Sequence, residues 1–329
     1  MGDEFQSAGA RTSQASELPV PARAWVPVRW PLKPRRRWYH SLSFHIVLFL
    51  LTILTTLIVG TYIEINYAHS LPVFEVSRAY FQELWHNPGL LILGVPFSFT
   101  LLSILLAHEL GHYLTCRHYG IRATYPYFIP APTLIGTLGA FIRIKSPIAT
   151  RRELFDVGIS GPLAGFVIAV PALTLAILLS KAAAPASLPE SISLGNPLAL
   201  ILLTQLLRPG INPAQVALHP VGCAAWVGLF ATALNLLPVG QLDGGHILYA
   251  VIGDKHRNIS RGFLLVLLPL GFLCWIGWMV WAAILLVLGL RHPKLIEPAE
   301  SLGRSRKILA LVAALILALT FVPTPFAIR

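Results

Sequence analysis

Formal charge is scarce in this chain. Asp, Glu, Lys and Arg make up 12% of its 329 residues, where a soluble domain carries about a quarter. A large water-soluble core is therefore excluded as the main architecture. The mean hydropathy of +0.69, with several uncharged runs of twenty residues or more, points to a polytopic membrane protein. Acids are scarcer than bases, 14 against 25, for a net charge of +11. Such a balance can mark a nucleic-acid binder, but no basic domain with interleaved aromatics is present. The basic residues instead gather at the ends of apolar runs, where they set orientation and touch anionic lipid. Nucleic acid is excluded as a partner and membrane lipid is retained. Cysteine is rarer still: Cys116, Cys223 and Cys274 lie far apart with no C-x-x-C spacing, which excludes a disulfide or zinc-ribbon framework.

The apolar runs follow in order. Residues 1–42 hold five prolines and seven Arg or Lys against three acids, without hydrophobic periodicity. They read as a disordered basic cytoplasmic tail, with Trp25, Trp30 and Trp38 interleaved with the collar Lys33, Arg35, Arg36 and Arg37. A surface-lying arm fits this pattern and a partner-binding motif is the alternative. No signal peptide is expected, because some forty residues precede the first apolar run. Residues 43–329 read as one membrane domain. A first span covers about Ser43 to Ile63, and an acid-bearing external loop with Glu64, Glu75 and Glu83 follows. The second span, about 89–116, then runs inward and bends at Pro96.

Residues 117–152 are neither a clean span nor an ordinary loop. Pro and Gly break the apolar stretch Tyr125–Pro132 and Gly136–Ala140 too often for a helix, while Phe141-Ile142-Arg143-Ile144-Lys145 alternates as a strand would. A re-entrant loop with an edge strand fits, and a plain amphipathic surface hairpin is the alternative. A third span, Leu154 to Ser180, opens with Gly161 and Gly165, a small-xxx-small packing pair. Pro197 to Leu207 is apolar but too short to span, and a fourth span covers roughly Pro213 to Leu237. The 29 uncharged residues Gly262–Leu290 read either as one bent span or as two short legs. A last span begins near Ile308. The fold class is all-α: a polytopic membrane protein of about six transmembrane helices, with a small re-entrant β-hairpin or loop near the site.

Two places carry chemistry. Pro88 to Ala107 are twenty residues without formal charge, and then comes His108-Glu109-Leu110-Gly111-His112. On a helix the two histidines are i and i+4, so both imidazoles leave one face and can bind one Zn²⁺, with Glu109 beside them to take a proton from water. Burying these groups near a membrane-length helix is costly unless they do something. Asp243 ends a stretch of 34 uncharged residues from Pro209 to Leu242, on a turn broken by Pro238 and Gly240. Spans two and four both end on the cytoplasmic side, so Asp243 can join His108 and His112 as a third ligand. That leaves a fourth zinc position for water or substrate. His246 is an alternative fourth ligand or hydrogen-bond donor to the site. His118 reads as interfacial, and the stripe Trp275, Trp278, Trp281 as a lipid or packing face.

H-E-L-G-H on one span, G-P-L-A-G on the next and N-x-x-P-x-x-x-L-D-G-G on the following one resemble the site-2 protease family of intramembrane zinc metalloproteases. The similarity runs from about Phe97 to Gly253, within a motif-bearing core of residues 89–253, and Gly136-Thr137-Leu138-Gly139-Ala140 also resembles the family. It is closest to the short bacterial and plastid members, because no connection between spans could hold a PDZ domain. The resemblance implies that His108, His112 and Asp243 hold one Zn²⁺ per chain, that Glu109 is the catalytic base and that Asn235 stabilises the oxyanion. Asn235 is followed by Leu236-Leu237-Pro238 where many members have proline directly after the asparagine. The substrates implied are membrane-spanning proteins cut near the cytoplasmic face, such as anti-sigma factors and other membrane-tethered regulators. The location implied is a bacterial plasma membrane with a cytoplasmic N-terminus.

A substrate helix must unwind before its peptide bond is cut, and the strand carrying Phe141, Ile142 and Ile144 is expected to capture the unwound piece. Two other classes compete. A transporter would show a duplicate of the broken, acid-bearing helix, and none is present. A catalytically inactive, binding-only relative would have lost Glu109 or a ligand, and all are present. The sequence names neither the substrate nor the oligomeric state.

Overall fold

The computed structural model describes residues 41–75, 77–182, 192–289, 295 and 301–328. The basic tail and its tryptophans lie outside the described residues. What is described is mostly helical. Three of its helical stretches are long and apolar enough to cross a membrane: Leu42–Ala68, Pro88–His118 and Arg151–Leu179. Their outward faces keep large apolar side chains such as Phe99, Val167 and Leu175 exposed, as lipid-facing surfaces do.

α1 (Leu42–Ala68) starts where the Ser41 hydroxyl accepts the Phe44 amide. α2 (Arg78–His86) lies in the acid-bearing loop. The second run opens as a 3₁₀ stretch, Pro88–Gly94, and continues as α3 (Val95–His118). Pro96 falls in the first turn of α3 and does not bend its middle. A proline there loses no helical hydrogen bond, since its N–H would have had no partner. α4 (Arg151–Leu179) opens on a complete capping box, Thr150 with Glu153.

Between α3 and α4 stands an antiparallel hairpin, β1 (Tyr127–Pro130) with β2 (Thr137–Phe141), paired Tyr127↔Phe141 and Phe128↔Ala140. The strand therefore lies ahead of the alternating stretch Phe141–Lys145. The tight turn ending at Gly136, whose φ is +81°, makes Thr137 the first residue able to pair. Only Phe141 of the expected segment is in the strand, and Ile144 makes an isolated bridge to Ala123. The hairpin rests on α1 through His45 over Tyr127 (ring centroids 4.1 Å) and Phe49 against Phe128 (4.8 Å).

β3 (Lys181–Ala182), β4 (Ile192–Leu194) and α5 (Leu198–Leu207) follow α4. α5 is the short apolar helix expected there. β5 (Val216–Ala217) pairs with β3. α6 (Pro220–Leu236) starts seven residues later than Pro213, because His219 caps it and Pro220 fits its first turn. α3, α4 and α6 pack together around Phe97, Leu101, Ile104, Leu173, Ile177, Trp226 and Leu229, all buried.

α7 (Asp243–Ile252) leads into α8 (His256–Leu273) and α9 (Gly277–Leu288). The uncharged run 262–290 is thus broken at Cys274–Ile276 into two helices that pack on each other. Their turn lies at the far end from His112, where the Trp278 indole donates to the Pro323 carbonyl at 2.7 Å. Trp278 is fully buried among Phe230, Trp275 and Phe321, so the tryptophan stripe is a packing face. The chain then returns, with Leu295 in one apolar cluster with Phe155 and Tyr249. α10 (Arg304–Thr320) follows, and β6 (Phe326–Ile328) pairs with β4.

Candidate metal centre and active site

His108 and His112 project from the last turns of α3 and are both buried. The chain leaves α6 at Leu236, turns through Leu237–Leu242 and enters α7 at Asp243, which the sequence placed on the turn itself. The sharpness of this turn explains the glycines after the aspartate. A Cβ at Gly244 would collide with the Leu236 carbonyl, and one at Gly245 with the Gly240 carbonyl. Gly240 itself takes φ +54°. The result brings Asp243 back onto α3 across 135 residues.

The three groups meet at one point. Asp243 Oδ2 lies 3.2 Å from His108 Nε2 and 3.2 Å from His112 Nε2, and the two Nε2 atoms are 3.2 Å apart. Among the described residues this is the only cluster of His, Cys, Asp or Glu able to hold a metal ion. The set fits zinc. Two imidazoles and a carboxylate are its usual ligands, and bonds of about 2 Å in a tetrahedron bring donor atoms to about this separation. His112 also carries the second hydrogen bond typical of a metal-binding imidazole, since its Nδ1 donates to the Val157 carbonyl at 2.7 Å.

α4 makes room for the imidazoles. It runs antiparallel to α3, with Gly161 against His112 and Gly165 against His108. A Cβ at Gly161 would overlap the His112 ring, and one at Gly165 would come to 3.4 Å from His108. The two histidines and the two glycines share a spacing of four, so each glycine faces one ring. Sequence reading treated these glycines as packing residues only. The matched spacing was the available signal for a role at the site.

The other predicted residues also converge. Glu109 is buried beside the imidazoles, close enough to interact with His112, His108 and Asp243. Asn235, in the last turn of α6, points its amide into the site, with Nδ2 3.3 Å from His108 Nε2. The backbone of Ile142, just beyond β2, comes near the Glu109 carboxylate. Ile142 and Ile144 pack with Cys116, Ile121 and Val157 behind His112. Phe141 stacks on Tyr127 (5.2 Å) and lines an apolar cavity of about 330 Å³ with Phe44, Leu48, Phe128 and Ile129. His118 stands against Tyr119, and neither it nor His246 belongs to the ligand cluster.

Residues 96–276 match the family model described as peptidase family M50. The chain is 31% identical over 308 residues to the "Probable zinc metalloprotease EGY1, chloroplastic" of Oryza sativa subsp. japonica, an alignment covering 88% of this chain and 51% of that protein. It is 30% identical over 304 residues to the protein of the same name from Arabidopsis thaliana, covering 88% and 54%. The "Probable zinc metalloprotease EGY2, chloroplastic" of Arabidopsis thaliana matches at 33% over 192 residues, covering 57% and 34%. The chain spans about half the length of the first two of these relatives.

Proposed function

The chain belongs to peptidase family M50, and from that premise we propose that it is an intramembrane zinc metalloprotease that hydrolyses peptide bonds of membrane-spanning proteins. One observation carries the reading: His108, His112 and Asp243 bring three ligand atoms together beside a buried glutamate. The relatives named as zinc metalloproteases support it.

When bound at these three side chains, zinc supplies Lewis acidity that polarises the scissile carbonyl and lowers the pKa of water. Glu109 accepts the proton of the attacking water and passes it to the leaving amine. Its burial beside the imidazoles puts that proton transfer where solvent does not compete. Asn235 offers its Nδ2–H to the oxyanion as it forms. The Val157 carbonyl accepts the His112 Nδ1–H, which leaves Nε2, on the Asp243 side, as the nitrogen that would hold zinc.

The substrate helix unwinds, and the segment Phe141, Ile142 and Ile144 binds the extended piece. β2 has one strand partner, β1, so its other edge is open to added chain among the described residues. The membrane is crossed about six times, by α1, α3 and α4 together with the shorter α6, the α8–α9 pair and α10. The β1–β2 hairpin re-enters beside the site. The basic residues Arg117, Arg122, Arg151 and Arg152 flank the site-bearing end, a pattern that supports its lying on the side of the membrane that retains positive charge. The chloroplastic location printed for the relatives does not fit a bacterial plasma membrane, so the proposal stops at a multi-pass membrane protein. Anti-sigma factors and other membrane-tethered regulators are the substrate class to try first.

Reconstitution in lipid vesicles with a membrane-spanning reporter tests the reading. Cleavage should stop with a chelator and return with zinc, and Asp243→Ala should neither hold zinc nor cleave. Chelator-resistant cleavage, or full zinc content in Asp243→Ala, would overturn it.

A further inference from the structure

A second, half-buried connection reaches the site from α10, the last long helix. Arg306, in its first turn, grips Asp156 of α4 with two hydrogen bonds, Nε to Oδ1 at 2.8 Å and Nη2 to Oδ2 at 2.6 Å. The Tyr119 hydroxyl donates to the same Oδ2 at 2.5 Å, and Arg306 Nη2 also reaches that hydroxyl at 3.4 Å. Tyr119 is the C-cap of α3, the helix that bears His108 and His112. Burial and the Asp156 carboxylate raise the Tyr119 phenol above its ordinary value, so it stays a donor. Asp156 thus ties together one end of α3, α4 and α10.

The residue after Asp156 is Val157, whose carbonyl accepts the His112 Nδ1–H at 2.7 Å. Four residues on, Gly161 lies against the same imidazole. Residues 157 and 161 share one face of α4, so the axial position of α4 against α3 sets both contacts. A small slide of α4 would stretch the Val157 bond and let the ring turn away from Asp243.

Resting on the zinc-site reading above, we infer that Arg306 is a positioning residue for the metal centre, acting through Asp156 and the Val157 carbonyl on the orientation of His112. Arg306 lies outside the residues 96–276 that match the family model, so the family's motifs do not account for it. The planar fork of its guanidinium makes both bonds to one carboxylate, which the single ammonium of lysine does not.

The test uses the full-length chain purified in detergent and loaded with zinc or with cobalt(II). Arg306→Ala, Arg306→Lys and Asp156→Asn should each release zinc to a chelator about tenfold faster than the wild type, the lower end of what loss of a ligand's supporting hydrogen bond costs. Their cobalt visible bands should shift, reporting a changed ligand field. The exchanged pair Asp156→Arg with Arg306→Asp should recover part of the loss. If Arg306→Ala does not fold, Arg306→Lys and Tyr119→Phe carry the same comparison. Wild-type release rates and unchanged cobalt bands would overturn the inference, whether or not the thermal midpoint of the metal-free protein falls. A wild-type chain that holds neither metal would overturn the zinc reading itself, and the inference with it.

Discussion

His112 donates its Nδ1–H to the Val157 carbonyl at 2.7 Å across the contact between α3 and α4. A carbonyl oxygen only accepts, so Nδ1 carries a proton and Nε2 is the ring nitrogen turned toward Asp243, 3.2 Å from its Oδ2. The ring is thereby oriented with Nε2 toward the cluster. This preorganisation makes the helix–helix contact part of the site.

Gly161→Ala tests that contact. The added methyl has no space beside the His112 ring, so either the helices separate or the ring rotates. Zinc content should fall well below one per chain, and cleavage should fall with it. Gly165→Ala meets His108 at 3.4 Å, ordinary contact distance, and should retain zinc. Metal analysis of the two purified variants checks the difference, and equal zinc in both would refute the cradle.

Asn235→Ala separates catalysis from binding. Asn235 reaches the site but is not among the three clustered ligands. Zinc content should therefore stay unchanged while kcat drops by about 10²- to 10³-fold, the effect of losing one oxyanion donor. A rise in KM at constant kcat would instead mark Asn235 as a substrate-binding residue.

Ile142→Pro removes the backbone N–H with which that segment would pair with an extended peptide. Cleavage should slow by about tenfold or more in kcat/KM, comparable to losing a hydrogen bond. Zinc content should be spared. Unchanged turnover in this variant would show that substrate is captured elsewhere.

The three clustered side chains were legible in the sequence because their chemistry is local. His108 and His112 share a helix face by spacing alone, and Asp243 stands out at the end of 34 uncharged residues. The start of α4 was less openly written in Thr150 and Glu153, a capping box three residues before the predicted span. What stayed hidden depends on register between distant segments. Gly161 and Gly165 look like any packing pair until α4 is set antiparallel to α3. Arg306 is 150 residues from Asp156, and no pattern joins them. The strand frame moved from Phe141–Lys145 to Thr137–Phe141 because a turn, not the alternation of apolar and basic residues, decides which residues pair. For the uncharged run 262–290 the sequence left one bent span and two short legs open, and the break at Cys274 between α8 and α9 decides for two helices.

In the proposed mechanism three side chains hold zinc and Glu109 uses it, and Glu109→Gln separates the two roles. Glutamine keeps the size and leaves His108, His112 and Asp243 in place, but it does not accept the proton of the attacking water. Zinc content and cleavage of a membrane-spanning reporter should be measured together on the purified variant and wild type. One zinc per chain is expected in both, with cleavage lowered by about 10²- to 10⁴-fold in the variant. Cleavage that persists at the wild-type rate with zinc bound would contradict the proposed mechanism.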